Sequence, residues 1–264
     1  MRKRLVILTM AFSCMMPATL CAQGTDNDME TDAGGRLSVE LDRKIKKGVH
    51  VMADAQLRMS DKFNKLGRYQ AGLGMSYKVN DWLKAQAGYV LIEVMNSSGE
   101  WNPRHRVYLD LTGTLKSGQW RFSLKEKLQF THRSGVNAYQ TTPNALSLKS
   151  RIKAEYSGSG KVSPYVYAEF RTALNDPSCS ANWNGTSYSD YSFTGYNDVY
   201  LNRVRGALGL EWKLDKKNSL DFVAMLDYCH DKNIDTNSKG TKLKSLTYDR
   251  TIMPQVGVSY KFSF

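Results

Sequence analysis

The stretch RYQAGLGMSYKV, residues 68–79, decides the fold class because apolar and polar residues alternate throughout it. Tyr69 and Leu73 fall on one face of an extended chain, whereas Arg68 falls on the other. A period of two residues predicts a β-strand with one apolar face. The pattern resumes after a short polar connection at residues 80–81, so the two strands are expected to form a hairpin.

The same alternation recurs along the chain and predicts eleven strands, each long enough to cross a bilayer when tilted. Short and long connections between these strands alternate. The short ones fall near residues 46–48, 80–81, 117–118, 157–160 and 215–218. The long polar ones fall near residues 60–66, 96–103, 133–143, 175–197 and 231–244. This layout is typical of a bacterial outer-membrane barrel, and the alternative is an exported β-sandwich.

The positions of the aromatic residues favour the barrel. Tyr, Trp and Phe lie at the ends of the apolar faces, as an interfacial girdle requires, and small Gly and Ala occupy many mid-strand sites. Closure into a barrel would also protect the edges of so many long hairpins. We therefore predict an all-β fold, a transmembrane antiparallel up-and-down β-barrel.

The number of strands is constrained by parity. If both termini lie on the periplasmic side, the number must be even, and eleven is odd. Either a short or irregular strand lies within residues 24–35, or that acidic stretch passes outward through the lumen. We predict about twelve strands, with ten as the second choice.

The first residues predict export. A basic stretch at residues 2–4 precedes an apolar run at residues 5–20, and Ala22 is a small residue suited to cleavage. The run is short for a transmembrane anchor. We therefore place the protein in the bacterial outer membrane, with cleavage after Ala22. The predicted segments are a signal peptide at 1–22, an acidic N-terminal segment at 23–35 and the barrel at 36–264.

The charge of the chain excludes some partners. The formal net charge is +12, and loss of the three cations in residues 1–22 leaves 12 minus 3, or +9. The basic residues sit singly along strands rather than in a block, and an exported protein seldom meets nucleic acid, so we predict no nucleic-acid partner. Outer-membrane lipid, lipopolysaccharide or a small anionic solute suits the compartment better.

The chain ends on VGVSYKFSF, residues 256–264, in which Tyr260 and Phe262 share a face with the terminal Phe264. This segment resembles the C-terminal strand signal that outer-membrane barrels present to their insertion machinery. The resemblance implies that machinery as a partner, through Phe264 and the last strand.

The chain as a whole resembles an uncharacterised family of bacterial outer-membrane β-barrels, of the domain of unknown function 2490 type. The likeness rests on GRLSVELDRKIKKGVHVMADAQLRM at residues 35–59, on YLNRVRGALGLEWKL at residues 200–214 and on the aromatic final strand. It covers nearly all of residues 35–264. It implies no established catalytic residues.

Many charged residues share the polar faces of the predicted strands, and in a barrel these faces line the lumen. Buried charges must pair or stay hydrated. One interpretation is an ion-pair network that fills a narrow barrel. The other is a basic pathway or pocket for an anionic solute, and the excess of cations favours it. The predicted lumen charges are the cations Arg58, Arg68, Lys84, Arg106, Lys125, Lys149, Arg151, Arg171, Arg203 and Arg205 and the anions Glu40, Asp42, Asp54, Asp110, Glu155, Glu169, Glu211 and Asp227.

A second candidate site lies in THRSGVN, residues 131–137. His132 and Ser134 are two residues apart and resemble the His-x-Ser arrangement of outer-membrane phospholipases, in which a downstream Asn orients the His. The resemblance implies Asn144 or Asn137 in that role. Hydrolysis of this kind needs a base within reach of the hydroxyl and a third group that holds the imidazole. The same stretch also suits a turn that leaves a strand.

Four further features carry weaker signals. The stretch DYCHD, residues 227–231, contains metal-ligand types, but adjacent strand positions point to opposite faces, so we predict no metal and no cofactor. Cys179 and Cys229 could form a disulfide or remain two free thiols. Glu126 falls on an apolar face, where a local bulge, protonation or a protein contact could each accommodate it, and we favour the bulge. The loop predicted at residues 175–197 suits either surface recognition or a mobile polar segment.

The function predicted from the sequence is non-enzymatic. It is passage or binding of a small anionic solute, or a structural role in the envelope. The alternative is an outer-membrane lipid hydrolase that uses His132 and Ser134.

Overall fold

The computed structural model of the protein describes residues 25–96, 98–158 and 160–264, and the side chains from residue 29 onward within them. The predicted signal peptide and its cleavage site after Ala22 lie outside the described residues. So does the start of the predicted acidic segment.

The described residues form twelve β-strands. Their bounds are β1 Thr25–Thr31, β2 Gly34–Lys46, β3 Val49–Ser60, β4 Lys65–Lys78, β5 Leu83–Met95, β6 Trp101–Ser117, β7 Trp120–Arg133, β8 Asn144–Tyr156, β9 Val162–Trp183, β10 Tyr188–Lys213, β11 Asn218–Thr236 and β12 Leu243–Ser263. Among all the residues that the structure describes, no helix has the length and apolar character needed to cross a bilayer.

Strands β2 to β12 form a closed barrel in which each strand is antiparallel to the next along the chain. The barrel is closed by a parallel pair, since β2 lies beside β12 from Gly34, opposite Gln255, to Asp42, opposite Ser263. Strand β1 continues the same edge and pairs in parallel with β12 at Thr247 to Ile252. The prediction of an all-β barrel of about twelve strands is confirmed.

The parallel closure differs from the antiparallel closure that the parity argument assumed. Eleven strands can close when the first and last run in the same direction, so no twelfth membrane-crossing strand is required. The acidic stretch does contain a strand, β1, as one of the two alternatives proposed. It lies in the wall along β12, and it does not add a further antiparallel strand.

The wall is apolar on the outside and charged on the inside. Leu73, Leu109 and Leu208 are 64%, 63% and 67% exposed, whereas Arg205 and Asp227 are 4% and 1% exposed. A sandwich would bury its apolar faces, so this exposure is the reverse of what that alternative requires. The predicted orientation of the two faces is confirmed.

The two rims of the barrel differ in their connections. At the rim that we call the short-turn rim, β2 is joined to β3 and β6 to β7 by two-residue turns in which Gly48 and Gly118 adopt φ of 79° and 58°. Those values suit glycine, which has no Cβ. The opposite rim, the long-loop rim, carries the longest connection, at residues 134–143.

The predicted long loop at residues 175–197 is wrong. Strand β9 continues to Trp183 and β10 begins at Tyr188, so only residues 184–187 form the turn. Likewise β11 continues to Thr236 and β12 begins at Leu243, which leaves a short turn where residues 231–244 were expected to be a loop. Ser, Thr, Asn and Tyr occupy both faces of these extensions, so the apolar alternation that marks the wall is missing there.

The extended ends of β9–β10 and β11–β12 form two outer hairpins at the long-loop rim. Pairing between β10 and β11 stops at Arg203, opposite Cys229, so the two hairpins separate above that level. Ile234, Leu243 and Leu246 form a buried apolar cluster there. This region therefore has an ordinary apolar core, unlike the wall below it.

The β7–β8 loop covers the outer hairpins. The Tyr139 ring lies 5.4 Å from the Phe193 ring of β10, and Gln140 Nε2 donates a hydrogen bond of 2.9 Å to Asp235 Oδ1 of β11. Cys179 packs against the apolar cluster, and no disulfide joins it to Cys229. Of the two alternatives for the cysteines, the disulfide is therefore not the one in the structure.

Candidate functional site

A cavity of about 410 Å³ lies inside the barrel. It extends from Lys84 and Lys261 near the short-turn rim to Arg58 and Arg106 deeper in the lumen. Eleven of its lining side chains are Lys or Arg, and four are Asp or Glu. Because strands present every second residue to the lumen, the register between strands decides which of these charges are neighbours.

One row of lumen residues alternates in charge across strands β8 to β11. We call it the alternating row, and it consists of Arg151, Glu169, Arg205 and Asp227, each opposite the next in the strand register. Arg151 Nη2 lies 2.5 Å from Glu169 Oε2. Arg205 donates hydrogen bonds of 2.5 and 2.6 Å to the two oxygens of Asp227. Charges paired in this way satisfy each other away from water.

The alternating row forms an ion-pair network in the lumen. Asp227 also accepts a hydrogen bond of 3.2 Å from Gln255 Nε2 and lies 3.8 Å from Arg36 Nη2. The network thereby links β11 to β12 and β2, across the closing seam. Removal of one charge would leave a buried partner uncompensated.

The next row toward the long-loop rim has charges of one sign only. We call it the like-charged row, and it consists of Lys127, Lys149, Arg171 and Arg203 on strands β7 to β10, again directly opposite one another. Like charges in opposed positions destabilise a sheet.

The two end members of the like-charged row reach carboxylates in other rows. Lys127 Nζ lies 3.7 Å from Asp110, and Arg203 lies 3.5 Å from Glu169. In the described part of the chain, neither of the two middle members, Lys149 and Arg171, forms an ion pair. The middle of the row therefore carries positive charge that no carboxylate contacts directly.

A second row of one sign lies on β2, β3 and β4. We call it the arginine row, and it consists of Arg36, Arg58 and Arg68, with Arg58 opposite both of the others. Their partners are mainly neutral, since Arg58 Nε donates to Gln56 Oε1 at 2.6 Å and Arg68 Nη2 donates to Gln70 Oε1 at 2.5 Å. Glutamine holds a guanidinium in place without neutralising it.

The remaining predicted lumen charges also face the interior. Asp110 lies 3.3 Å from Lys125 Nζ, and Arg106 Nε donates to Thr131 Oγ1 at 2.9 Å. Glu155, near the short-turn rim, accepts from Arg121 Nη1 at 2.8 Å. Glu211 lies opposite Asp221 in the register, apart from the two rows of one sign.

Sequence reasoning missed Arg36 and Lys127 as members of the site. Both stand on the polar side of their strands, in phase with Glu40 and Lys125 respectively, so the alternation itself could have placed them in the lumen. The alternation could not have shown that Arg36 and Lys127 lie opposite other cations, because the register between strands is a property of the folded sheet.

The second candidate site lies on the outer surface, near the long-loop rim. His132 and Asn144 are opposite each other on β7 and β8, and His132 Nδ1 lies 2.8 Å from Asn144 Oδ1. Asn137 has another role, since its Oδ1 accepts the backbone N–H of Tyr139 at 3.0 Å. Of the two asparagines considered, the structure brings Asn144 to the histidine.

Ser134 lies just beyond the end of β7, and its hydroxyl makes no hydrogen bond with His132 within the described residues. Below the site, the outer wall carries an apolar depression of about 740 Å³ lined by Tyr89, Phe130 and Leu146 among others. Of the three groups of the predicted site, His132 and Asn144 are therefore in contact and Ser134 is not, and the site lies beside an apolar surface.

A family model described as "Protein of unknown function (DUF2490)" matches residues 37–238, which is more than half of the chain. The chain belongs to the DUF2490 family. No curated protein matches it. The family resemblance stated from the sequence is confirmed, and since the family description gives no activity, the function of this DUF2490 protein has to be argued from its own residues.

Two weaker signals from the sequence can be assessed in the DUF2490 chain. Among the described residues, no group of three His, Cys, Asp or Glu side chains is placed to hold a metal ion. The predicted bulge at Glu126 is wrong, since β7 pairs with β6 and β8 without a shift in register. Instead, Ser150 Oγ donates a hydrogen bond of 2.5 Å to Glu126 Oε2, which gives the carboxylate a polar partner on the outer face.

Proposed function

We propose that the protein is a non-enzymatic barrel of the bacterial outer membrane whose lumen binds or passes a small anionic solute. The observation that carries the proposal is the lining of the lumen cavity, in which eleven cationic side chains stand against four anionic ones. A lumen with this balance concentrates anions and repels cations. A purely structural role would be served by the alternating row alone.

The outer-membrane location is supported by the exposed apolar wall and by the basic, apolar and small-residue segments at residues 1–22. Trp120 and Tyr77 are 47% and 52% exposed near the short-turn rim, as expected of side chains in a membrane interface. Lipid and lipopolysaccharide would then surround the wall, and Phe264 and the last strand would meet the insertion machinery.

The location is tested by fractionating cells that express the full chain. We expect the protein in the outer-membrane fraction, shortened by the signal peptide and shifted in gel mobility when heated. Removal of Phe264 should reduce the assembled fraction. Recovery of the unheated protein in the soluble periplasmic fraction would contradict the proposal.

The role of the lumen is tested with the purified barrel in planar bilayers and in detergent micelles. We expect either an anion-selective conductance or saturable binding of small anions by calorimetry. A matched pair of variants, Lys149→Gln in the like-charged row and Lys216→Gln in the exposed β10–β11 turn, separates lumen charge from net charge. Neither conductance nor anion binding in the wild-type barrel would leave only the structural role.

A lipid hydrolase is the second candidate function, and the contact between His132 and Asn144 favours it. If Asn144 Oδ1 accepts from Nδ1–H, the other ring nitrogen is left unprotonated and able to take a proton from a hydroxyl. Ser134 is the nearest hydroxyl in sequence, and rotation of its side chain or loop would have to complete the site.

Release of fatty acid from phospholipid in mixed micelles tests this second function. Ser134→Ala and His132→Ala should each abolish the release, whereas Ser238→Ala in the β11–β12 turn should not change it. Equal release by the wild type and Ser134→Ala would exclude this hydrolase.

A further inference from the structure

The like-charged row and the arginine row face each other across the lumen. The guanidinium groups of Arg58 and Arg68 are near enough to Arg203 to be repelled by it, and Arg68 is repelled by Arg171 as well. The two rows thus surround one volume from opposite walls. Arg58, Arg203 and Lys149 also line the inner part of the cavity.

The positive charge of this volume is not balanced by the protein. In the described residues, ion pairs are absent for five neighbouring cations, which are Arg58, Arg68, Arg106, Lys149 and Arg171. The Nε atoms of Arg68 and Arg171 are buried without a hydrogen-bond partner. A buried cation without a partner is costly, so such a group points to a missing anion.

Neutral side chains accept hydrogen bonds from three of these cations, Arg58, Arg68 and Arg106, and Arg58 and Arg106 also line the cavity. Gln56 and Gln70 each accept one hydrogen bond from an arginine through a side-chain carbonyl, and Thr131 accepts one from Arg106. Carboxylates at these positions would cancel the charge, whereas amides and a hydroxyl preserve it. Gln56 and Gln70 also line the cavity, where their amide groups add further donors.

The number and type of donors define the ligand. A monovalent anion would compensate only one of the five cations. Two phosphoryl groups carry about −3 to −4 at neutral pH and offer three acceptor oxygens each. Arginine presents a planar fork of N–H groups that matches phosphate oxygens in a bidentate manner.

We propose that the like-charged row and the arginine row together form a binding site for a small soluble solute that carries two or more phosphoryl groups. The proposal rests on the proposed function of the lumen and names its substrate class. The alternating row directly beneath the site holds β8 to β11 in register, which fixes the positions of the cations above it.

The test is calorimetry of the purified full-length mature barrel in uncharged detergent, titrated with phosphate, pyrophosphate, acetate and citrate. Pyrophosphate should bind at least about tenfold more tightly than phosphate, which corresponds to one additional charge-assisted hydrogen bond. Citrate, which has comparable charge on carboxylates, should bind more weakly than pyrophosphate. Citrate binding as tight as pyrophosphate binding would overturn the assignment to phosphoryl groups.

Variants locate the site. Arg106→Gln and Lys149→Gln should each weaken pyrophosphate binding about tenfold, since each removes one charge-assisted contact. Arg121→Gln is the matched control, because Arg121 is ion-paired to Glu155 near the short-turn rim and does not line the cavity. Lys149→Arg keeps the charge and should retain binding, and unchanged gel mobility before heating shows that each variant is folded. Equal affinity of wild type and Lys149→Gln would overturn the proposal.

The outcomes separate this inference from the proposed function. If acetate and chloride bind or carry current but pyrophosphate binds no more tightly, the lumen function stands and the phosphoryl site is overturned. If no anion binds or passes, both fail. A further titration uses micelles that contain a phosphomonoester lipid. If the barrel bound that lipid in preference to free pyrophosphate, the assignment to a soluble solute would be overturned.

Discussion

The alternating row and the like-charged row lie side by side on strands β8 to β10, and they differ in the signs of their charges. On β8 the two rows are two residues apart, at Arg151 and Lys149. Opposite charges meet in the first row, and like charges meet in the second. The first row explains how charged strands are held together in a lumen, whereas the second weakens the sheet and therefore requires a reason other than stability.

The largest effect should follow from breaking the alternating row. Asp227→Ala leaves Arg205 buried without its carboxylate, so the free energy of unfolding should fall by about 3–5 kcal/mol. The measurement is urea unfolding of the barrel in lipid vesicles, followed by tryptophan fluorescence. The double variant Arg205→Leu with Asp227→Leu should regain part of the loss, because Arg205 is no longer a buried charge, although Arg36 still loses its carboxylate partner. A loss below about 1 kcal/mol for Asp227→Ala would remove the distinction between the rows.

A smaller effect of opposite sign is expected in the like-charged row. Lys149→Met removes repulsion from Lys127 and Arg171 and should raise the free energy of unfolding by up to about 1 kcal/mol. The same urea titration in phosphate-free buffer measures it. Arg151→Met, two residues along β8, is the matched variant and should destabilise the barrel. If Lys149→Met destabilised the protein to the same extent, the two rows would be equivalent structurally.

The smallest effect is expected at the short-turn rim, outside both rows. Arg121 is paired with Glu155, but its side chain is 41% exposed, so water screens the pair. Arg121→Gln should lower the free energy of unfolding by about 0.5 kcal/mol. Urea titrations at low and high sodium chloride should show the difference shrinking with added salt. A loss as large as that of Asp227→Ala would mean that solvent exposure does not determine how much each ion pair contributes to the free energy of unfolding.

Sequence reasoning located the charged residues of both rows, except Lys127, but not their grouping. The period of two placed Arg151, Glu169 and Arg205 in the lumen, and the structure finds them there. Whether Arg171 stands beside a carboxylate or beside Lys149 depends on the offset between β8 and β9. That offset is set by the geometry of the short connection between the two strands, which the alternation along each strand does not specify. Of the two interpretations of the lumen charges, the structural network describes the alternating row, whereas the basic site for an anionic solute stays a proposal.

Two other features were beyond local patterns. The closing pair of β2 and β12 joins segments more than two hundred residues apart, at Gly34 and Gln255, and no local pattern states their relative direction. In the outer hairpins, Ile234, Leu243 and Leu246 are buried by packing between ribbons rather than by one face of a wall. A mostly polar strand that packs in this way shows no alternation of apolar and polar residues, so its sequence does not predict a strand.

The sequence by itself determined that the chain forms β-strands with one apolar face and one charged face, because the alternation of side chains along a strand is a local property. The tertiary structure alone decided that the barrel closes in parallel, that His132 meets Asn144, and that cations stand opposite cations beside a row of alternating charges. Those arrangements depend on the register between strands, and a shift of two residues would keep every face while exchanging every neighbour.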